Sequence, residues 1–359
     1  MTASFAVSLA HDGPEFSPAE MAALWSKAVQ DGAVEADYYG NGGAVAAFET
    51  RIAALLGKER AVVFPTGTLA NMVALRLLAR GNPGRVIVHR DSHLFNDAGD
   101  NVTLSAGLTM VPLAGHGAGF SALQVEEEIA RTRSARVATR IAAISIETPS
   151  RRQHGGSFPA ADLSGVIAVA KAHGVPLFLD GARLMIEAAW RGQALAERTQ
   201  DFELVYLSLY KYLGAPFGCV LAGPADLLDE AFHERRRFGG GLYQMWPAAV
   251  IADHCLDGHM ERWAQTIPHA EAVLAILAED PSLAVERVPE GTNVVFLRPV
   301  SGRINAKSLQ AGAARAGLRF PAVEGGRLAL KINETWLRWT PETLAETIRT
   351  VLLDSVTAY

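Results

Sequence analysis

From Gly43 to Gly57 the apolar residues Val45, Phe48, Ile52, Leu55 and Leu56 recur at the spacing that lines one face of a helix, and Gly57 is a residue type that ends one. The next apolar run, Ala61 to Phe64, is short and continuous and predicts a buried strand. Pro65-Thr-Gly-Thr68 then reads as a turn, and Leu69 to Arg80 as a second helix closed by Gly81. The same rhythm repeats along the chain. Apolar runs at Arg85 to His89, Ile141 to Glu147, Pro176 to Asp180 and Leu204 to Leu209 alternate with helical stretches such as Ala160 to His173. Strands without polar alternation, separated by helices, predict an α/β fold with a mainly parallel sheet covered on both faces.

After Gly239-Gly-Gly241 the texture changes. A long helical segment from about Trp246 leads to a strand at Val294 to Leu297, a helix at Ala306 to Ala316, a strand at Arg327 to Ile332 and a last helix from Pro341. This predicts a large domain over residues 1–245 and a smaller α+β domain over 246–359. In open parallel sheets ligands sit beyond the carboxyl ends of the strands. That rule picks out Thr66 to Thr68, His93, Glu147, Asp180 and Lys211.

Composition narrows the classes of function. The 359 residues exceed one typical domain, and 49% hydrophobic against 20% charged residues leaves little room for long disorder. A net charge of -5 supplies no basic field for a phosphate backbone, so nucleic acid is not an expected partner. Cys219 and Cys255 cannot build a disulfide framework or a four-thiolate metal site. The first ten residues carry no basic region, Asp12 and Glu15 follow at once, and no apolar run approaches the roughly 20 residues that span a bilayer. The expectation is a cytoplasmic protein with no metal and no membrane partner.

Among the lysines Lys27, Lys58, Lys171, Lys211, Lys307 and Lys331, only Lys211 follows an apolar strand and precedes a glycine-bearing turn, Leu213-Gly-Ala-Pro-Phe-Gly218. A lysine in a partly dry site has a depressed pKa and can form a Schiff base; the alternative is a strand-end lysine facing water. Asp180 ends the run Pro176-Leu-Phe-Leu-Asp180, where a carboxylate needs a cationic partner such as a protonated pyridine nitrogen, or else caps the helix that follows. Arg183 either pairs with Asp180 or offers its planar fork to a carboxylate. Thr66-Gly-Thr68 either caps a helix or presents the amides of its N-terminus to a phosphate. His93 is an exposed loop histidine or one that stacks on a ring and moves protons near neutral pH.

Tyr39-Gly40, Pro65-Thr-Gly-Thr-Leu-Ala-Asn71, Asp180-Gly-Ala-Arg183, Lys211-Tyr-Leu-Gly-Ala-Pro-Phe-Gly218 and Gly239-Gly-Gly241 stand in an order that resembles the threonine aldolase and β-eliminating lyase family. The resemblance runs from about Tyr39 to Gln244 and more loosely to the end of the chain. It implies the pyridoxal-phosphate fold type I of aspartate aminotransferase and a homodimer or homotetramer with shared active sites. It also implies that Lys211 carries pyridoxal 5′-phosphate, Asp180 holds the pyridine nitrogen, Gly67 and Thr68 take the phosphate, and His93 stacks on the ring. Ser208 and Arg183 complete the cofactor set, and Ser8, Tyr39, Arg183 and Arg327 meet an amino-acid substrate.

Three departures concern substrate handling. The family's usual Glu-Asn-Thr-His-Asn is here Glu147-Thr-Pro-Ser-Arg-Arg152, so Ser150 stands in place of a histidine and Arg151 and Arg152 are added charges. Leu242-Tyr-Gln244 replaces Met-Arg-Gln after the triple glycine, and Ser8-Leu9 replaces an N-terminal Ser-Asp pair. The activity implied is cleavage of the Cα–Cβ bond of a β-hydroxy amino acid to glycine and an aldehyde, with His93 as the base. The alternatives are β-elimination to a keto acid and ammonia, or a cofactor-binding protein without turnover.

Overall fold

The structure, a computed structural model, describes residues 5–31 and 34–357. Its main sheet has seven strands: β1 (Arg60–Phe64), β2 (Arg85–His89), β3 (Thr109–Leu113), β4 (Ile141–Glu147), β5 (Leu177–Asp180), β6 (Leu204–Ser208) and β7 (Cys219–Gly223). Their spatial order is β1-β7-β6-β5-β4-β2-β3; β7 is antiparallel to both of its neighbours and the other pairings are parallel. Every residue of β4 to β7 is buried. Leu204 and Tyr206 enter one apolar cluster while Val205 and Leu207 enter another on the opposite face. Both faces are covered, which is why these strands read as continuous apolar runs.

Helix α1 (Gly43–Leu55) ends where the pattern stops, and Gly57 takes the left-handed φ of 59° that favours glycine. Helix α2 (Gly67–Leu78) begins two residues before the apolar pattern does. The Thr66 side chain accepts from Leu69 N at 3.3 Å as its cap, and so brings Gly67 and Thr68 into the first turn. The run Ala160–His173 forms helix α3, with Gly174 as its left-handed stop.

The segment from Trp246, expected as one long helical stretch, is two helices, α4 (Trp246–Leu256) and α5 (His259–Glu279). Gly258, at φ 63°, turns the chain between them. Beyond them lies an antiparallel sheet of β8 (Leu283–Arg287), β9 (Val294–Pro299), β10 (Val323–Glu324) and β11 (Arg327–Lys331), in the order β10-β11-β9-β8. Helix α6 (Pro341–Leu353) starts at the predicted proline, capped by Thr340.

The N-terminal arm reaches both sheets. Val7–Ser8 pairs in parallel with Leu318–Arg319, and Leu9 O accepts from Lys331 N at 2.8 Å. The arm then crosses to the loop after β6, where Gly13 lies so close to Tyr212 that a Cβ would come within 2.5 Å of its Cα. Among the described residues no helix is long and apolar enough to cross a membrane.

Candidate active site

Strand register builds the floor of the site. Glu147 ends β4 opposite Asp180, and Asp180 lies opposite Tyr206 of β6, so three polar side chains stand in a row on one face at the carboxyl ends of parallel strands. The N-terminus of α2 comes down on this row: a Cβ added to Gly67 would lie 2.2 Å from the Tyr206 hydroxyl. One turn on, Asn71 donates from Nδ2 to Asp180 Oδ2 at 3.1 Å. A cavity of about 340 Å³ opens over the row, lined by Thr66, Gly67, Thr68, His93, Glu147, Asp180, Arg183 and Lys211. Residues from 66 to 211 in sequence thus converge on one site because each follows a strand of one sheet.

Burial dominates the electrostatics of these groups. Asp180 is 1% exposed and makes no ion pair with any described residue; it accepts only from Asn71 and from Ala182 N at 3.3 Å. Burial raises its carboxyl above the usual carboxylate range against the pull of Lys211. Burial likewise raises Glu147, and the neighbouring Asp180 adds to the rise. Lys211 also makes no ion pair among the described residues; burial first, and then the Arg183 guanidinium, lower its ammonium to about 8. His93 opens a short helical turn, its amide donating to Glu147 Oε2 at 2.6 Å and its Nδ1 lying 3.6 Å from Asp97 Oδ2. Burial and then Lys211 lower its pKa, so the ring is neutral at neutral pH.

Arg183 is held from behind. Its Nε donates to Asp12 Oδ2 at 2.8 Å, and Lys331 Nζ sits 3.3 Å from the same carboxylate. Arg183 therefore pairs with Asp12 of the arm rather than with Asp180. Among the described residues neither of its terminal nitrogens donates to protein, which leaves the fork facing the cavity. Ser208, fully buried on β6, has a hydroxyl with no partner.

These features fit pyridoxal phosphate. A lysine of lowered pKa, a buried carboxylate without a cation, an orphaned serine hydroxyl and a glycine-opened helix N-terminus leave unpaired the groups that would meet an aldehyde, a ring nitrogen and a phosphate. Four predicted contacts lie off the cavity lining: Ser208, fully buried behind it, and three others. Ser8 is buried in the arm, its Oγ 3.3 Å from His11 Nδ1. Tyr39, at φ 52°, packs edge-on against Tyr38 and Tyr243. The Arg327 guanidinium lies 3.6 Å over the Phe296 ring, in a separate hollow with His154 and Glu324.

Asn71, Tyr206 and Asp12 were not singled out from sequence. The first two carry a signal: Asn71 is one helical turn past Gly67, and Tyr206 alternates with Ser208 on the Asp180 face. Asp12 carries none, since 171 positions separate it from Arg183. Among the described residues no cluster of histidine, cysteine or carboxylate side chains is placed to hold a metal ion.

Comparison with known proteins agrees with this geometry. A curated relative named "Probable low-specificity L-threonine aldolase", from Schizosaccharomyces pombe, is 27% identical over 80% of this chain and 73% of its own length. A crystal structure from Listeria monocytogenes, provisionally named an L-allo-threonine aldolase, superposes with a TM-score of 0.78 at 26% identity over 98% of this chain and 97% of that one. The threonine aldolase of Leishmania major shares the fold at a TM-score of 0.72, with 19% identity over 96% of this chain and 98% of its own. The family model described as beta-eliminating lyase matches residues 18–299, most of the chain and all of the cavity's lining, and the protein belongs to that family.

Proposed function

We propose that the protein is a pyridoxal-phosphate-dependent lyase that cleaves the Cα–Cβ bond of a β-hydroxy amino acid, giving glycine and an aldehyde. The observation that carries this reading is that Lys211 and Asp180, both without ion-pair partners among the described residues, face one cavity beside the N-terminus of α2. The threonine aldolase names of the relatives support it. When bound at Lys211, the cofactor supplies a ring that takes up the electron pair left by the broken bond.

The chain's own groups do the rest. Asp180 offers the ring nitrogen a carboxylate that Asn71 orients. The first-turn amides at Gly67 and Thr68 would hold the phosphate, with the buried Ser208 hydroxyl as a further donor from behind the cavity wall. Arg183, fixed through Nε by Asp12, would turn its terminal nitrogens to the substrate carboxylate, with Arg327 as the second expected carboxylate ligand, here resting over the Phe296 ring. His93, neutral and anchored by Glu147, would stack on the ring of a bound cofactor and accept the proton of the β-hydroxyl. Burial of Glu147, Asp180 and Tyr206 keeps bulk water from the developing charge.

The exposed Tyr38 and Tyr243 beside Tyr39 mark a face suited to a second copy, in keeping with a homodimer or homotetramer. The division near residue 245 and a cytoplasmic location follow from the sequence pattern.

The test is the absorbance spectrum of the purified protein, followed by an amino-acid panel scored for glycine plus aldehyde against keto acid plus ammonia. Glycine and aldehyde are expected from threonine-like substrates. Lys211→Ala should abolish the covalent chromophore, and a chromophore that survives in that variant overturns the assignment.

A further inference from the structure

Arg151 lines the same cavity as Arg183 and Lys211. Its backbone amide donates to Glu147 Oε1 at 2.9 Å, so the end of β4 fixes where this side chain starts. Its Nη1 lies 3.1 Å from Asp97 Oδ2, and Arg152 binds the same carboxylate through Nε at 3.1 Å and Nη2 at 2.7 Å. Two guanidinium groups thus share one carboxylate, and His93 beside it is held neutral by burial and by Lys211. Within hydrogen-bond reach the two guanidinium groups have this one carboxylate between them, and Asp91 acts on Arg152 only at longer range. Glu147, the other carboxylate touching Arg151, does so through the backbone amide and is itself buried, with a raised pKa.

The cavity's remaining charges are already matched. Asp180 is matched by the ring nitrogen, the α2 N-terminus and Ser208 by the phosphate, and Arg183 by the substrate's α-carboxylate. Arg151 has only the Asp97 carboxylate that it shares with Arg152. It approaches from the His93 side, where the β-hydroxyl is deprotonated and where the substrate's side chain must therefore lie.

We propose that Arg151 makes this site selective for β-hydroxy amino acids whose side chain ends in a carboxylate, 3-hydroxyaspartate being the smallest. The inference rests on the aldol reading above. In the reaction the Cα–Cβ bond breaks, the hydroxyl proton passes to His93, a carbonyl forms at Cβ, and the pair left on Cα takes up a proton. Glycine and glyoxylate leave, and no oxidant or further reactant is consumed.

The experiment has two arms. Aspartate and alanine, which carry no hydroxyl and cannot be cleaved, are titrated into the holoenzyme, and Kd is read from the change in cofactor absorbance. A charge-assisted hydrogen bond implies a Kd for aspartate about tenfold or more below that for alanine, an advantage lost in Arg151→Met and partly kept in Arg151→Lys. In the second arm, kcat/KM for 3-hydroxyaspartate should exceed that for threonine by a similar factor, and Arg151→Met should erase most of that ratio, whatever loss it causes on both substrates through His93. Equal affinity for aspartate and alanine, or an equal loss on both substrates in Arg151→Met, overturns the proposal. If no substrate releases glycine while aspartate still binds more tightly through Arg151, the aldol reading fails and the acidic specificity stands. If threonine is cleaved and aspartate has no advantage, the reverse holds.

Discussion

Asn71 donates to Asp180 Oδ2 at 3.1 Å where both residues are 1% exposed, so helix α2 and strand β5 are tied together at the buried carboxylate. The amide supplies one of the two hydrogen bonds that offset the desolvation of Asp180. In Asn71→Ala the carboxyl should rise further and hold the ring nitrogen less well. A hydrogen bond to a charged group is worth about 1.5 to 3 kcal/mol, so kcat should fall by about ten- to a hundredfold with KM nearly unchanged. The cofactor absorbance band should shift as well. An unchanged kcat with an unchanged spectrum would show that Asn71 only packs.

At Gly67 the limit is space rather than backbone. An added Cβ would lie 2.2 Å from the Tyr206 hydroxyl and 2.9 Å from its Cζ. Overpacking of this kind costs about 1 to 3 kcal/mol, and the displaced atoms are those of the helix turn that would hold the phosphate. Gly67→Ala should raise the Kd for pyridoxal phosphate by about tenfold, measured by titration of the cofactor-free protein. Adding Tyr206→Phe removes the closer contact and should restore part of the loss. A double variant no better than the single one would place the strain elsewhere.

The order of strands and helices was largely legible because burial on both sheet faces imprints continuous apolar runs; the bounds of β2, β4 and α3 coincide with those read from the pattern. The break at Gly258 was not legible, since apolar spacing continues across it and only a left-handed glycine marks the turn. Strand β7 was missed because its antiparallel return from β6 leaves no helix to delimit it. At the site, residues that end strands could be placed from sequence alone, because chain direction decides which end of the sheet they reach. Asp12 could not be, as its partners lie far along the chain, Arg183 in the turn after β5 and Lys331 on β11 of the other sheet. Arg327 shows the converse: its strand was read correctly, but its direction follows from Phe296, a cross-strand neighbour no local pattern names.

The clamp on Asp12 should be visible in acid. Burial alone would raise this carboxyl, but Arg183 and then Lys331 outweigh burial and hold it at about 2. An unfolded aspartate titrates near about 3.9, so the folded state binds the proton less readily and the clamp adds stability above that pH. The contribution is lost as pH falls from about 4 towards 2, and amounts to roughly 2.5 kcal/mol. Asp12→Asn should therefore lower the denaturation midpoint at pH 7 and flatten its dependence on pH below 4. A variant that loses stability equally at pH 7 and pH 2.5 would mean that packing, not charge, is what Asp12 provides.

Lys211 gives the sharpest pH dependence. A primary amine attacks an aldehyde only in its neutral form, and burial together with Arg183 lowers Lys211 to about 8. Capture of pyridoxal phosphate by the cofactor-free protein should then quicken by about tenfold per pH unit up to about 8 and level off above it, as a stopped-flow absorbance trace would show. Arg183 is the second cause of the lowering, after burial, so its removal has a definite sign. In Arg183→Met the ammonium loses a repelling neighbour, its pKa rises, and the inflection moves to higher pH. The Asp12 carboxylate that Arg183 releases in that variant also favours the ammonium, so the two effects share one sign. An inflection that stays put would mean that desolvation alone sets the reactivity of Lys211, and one that moves down would contradict the placement of Arg183 beside it.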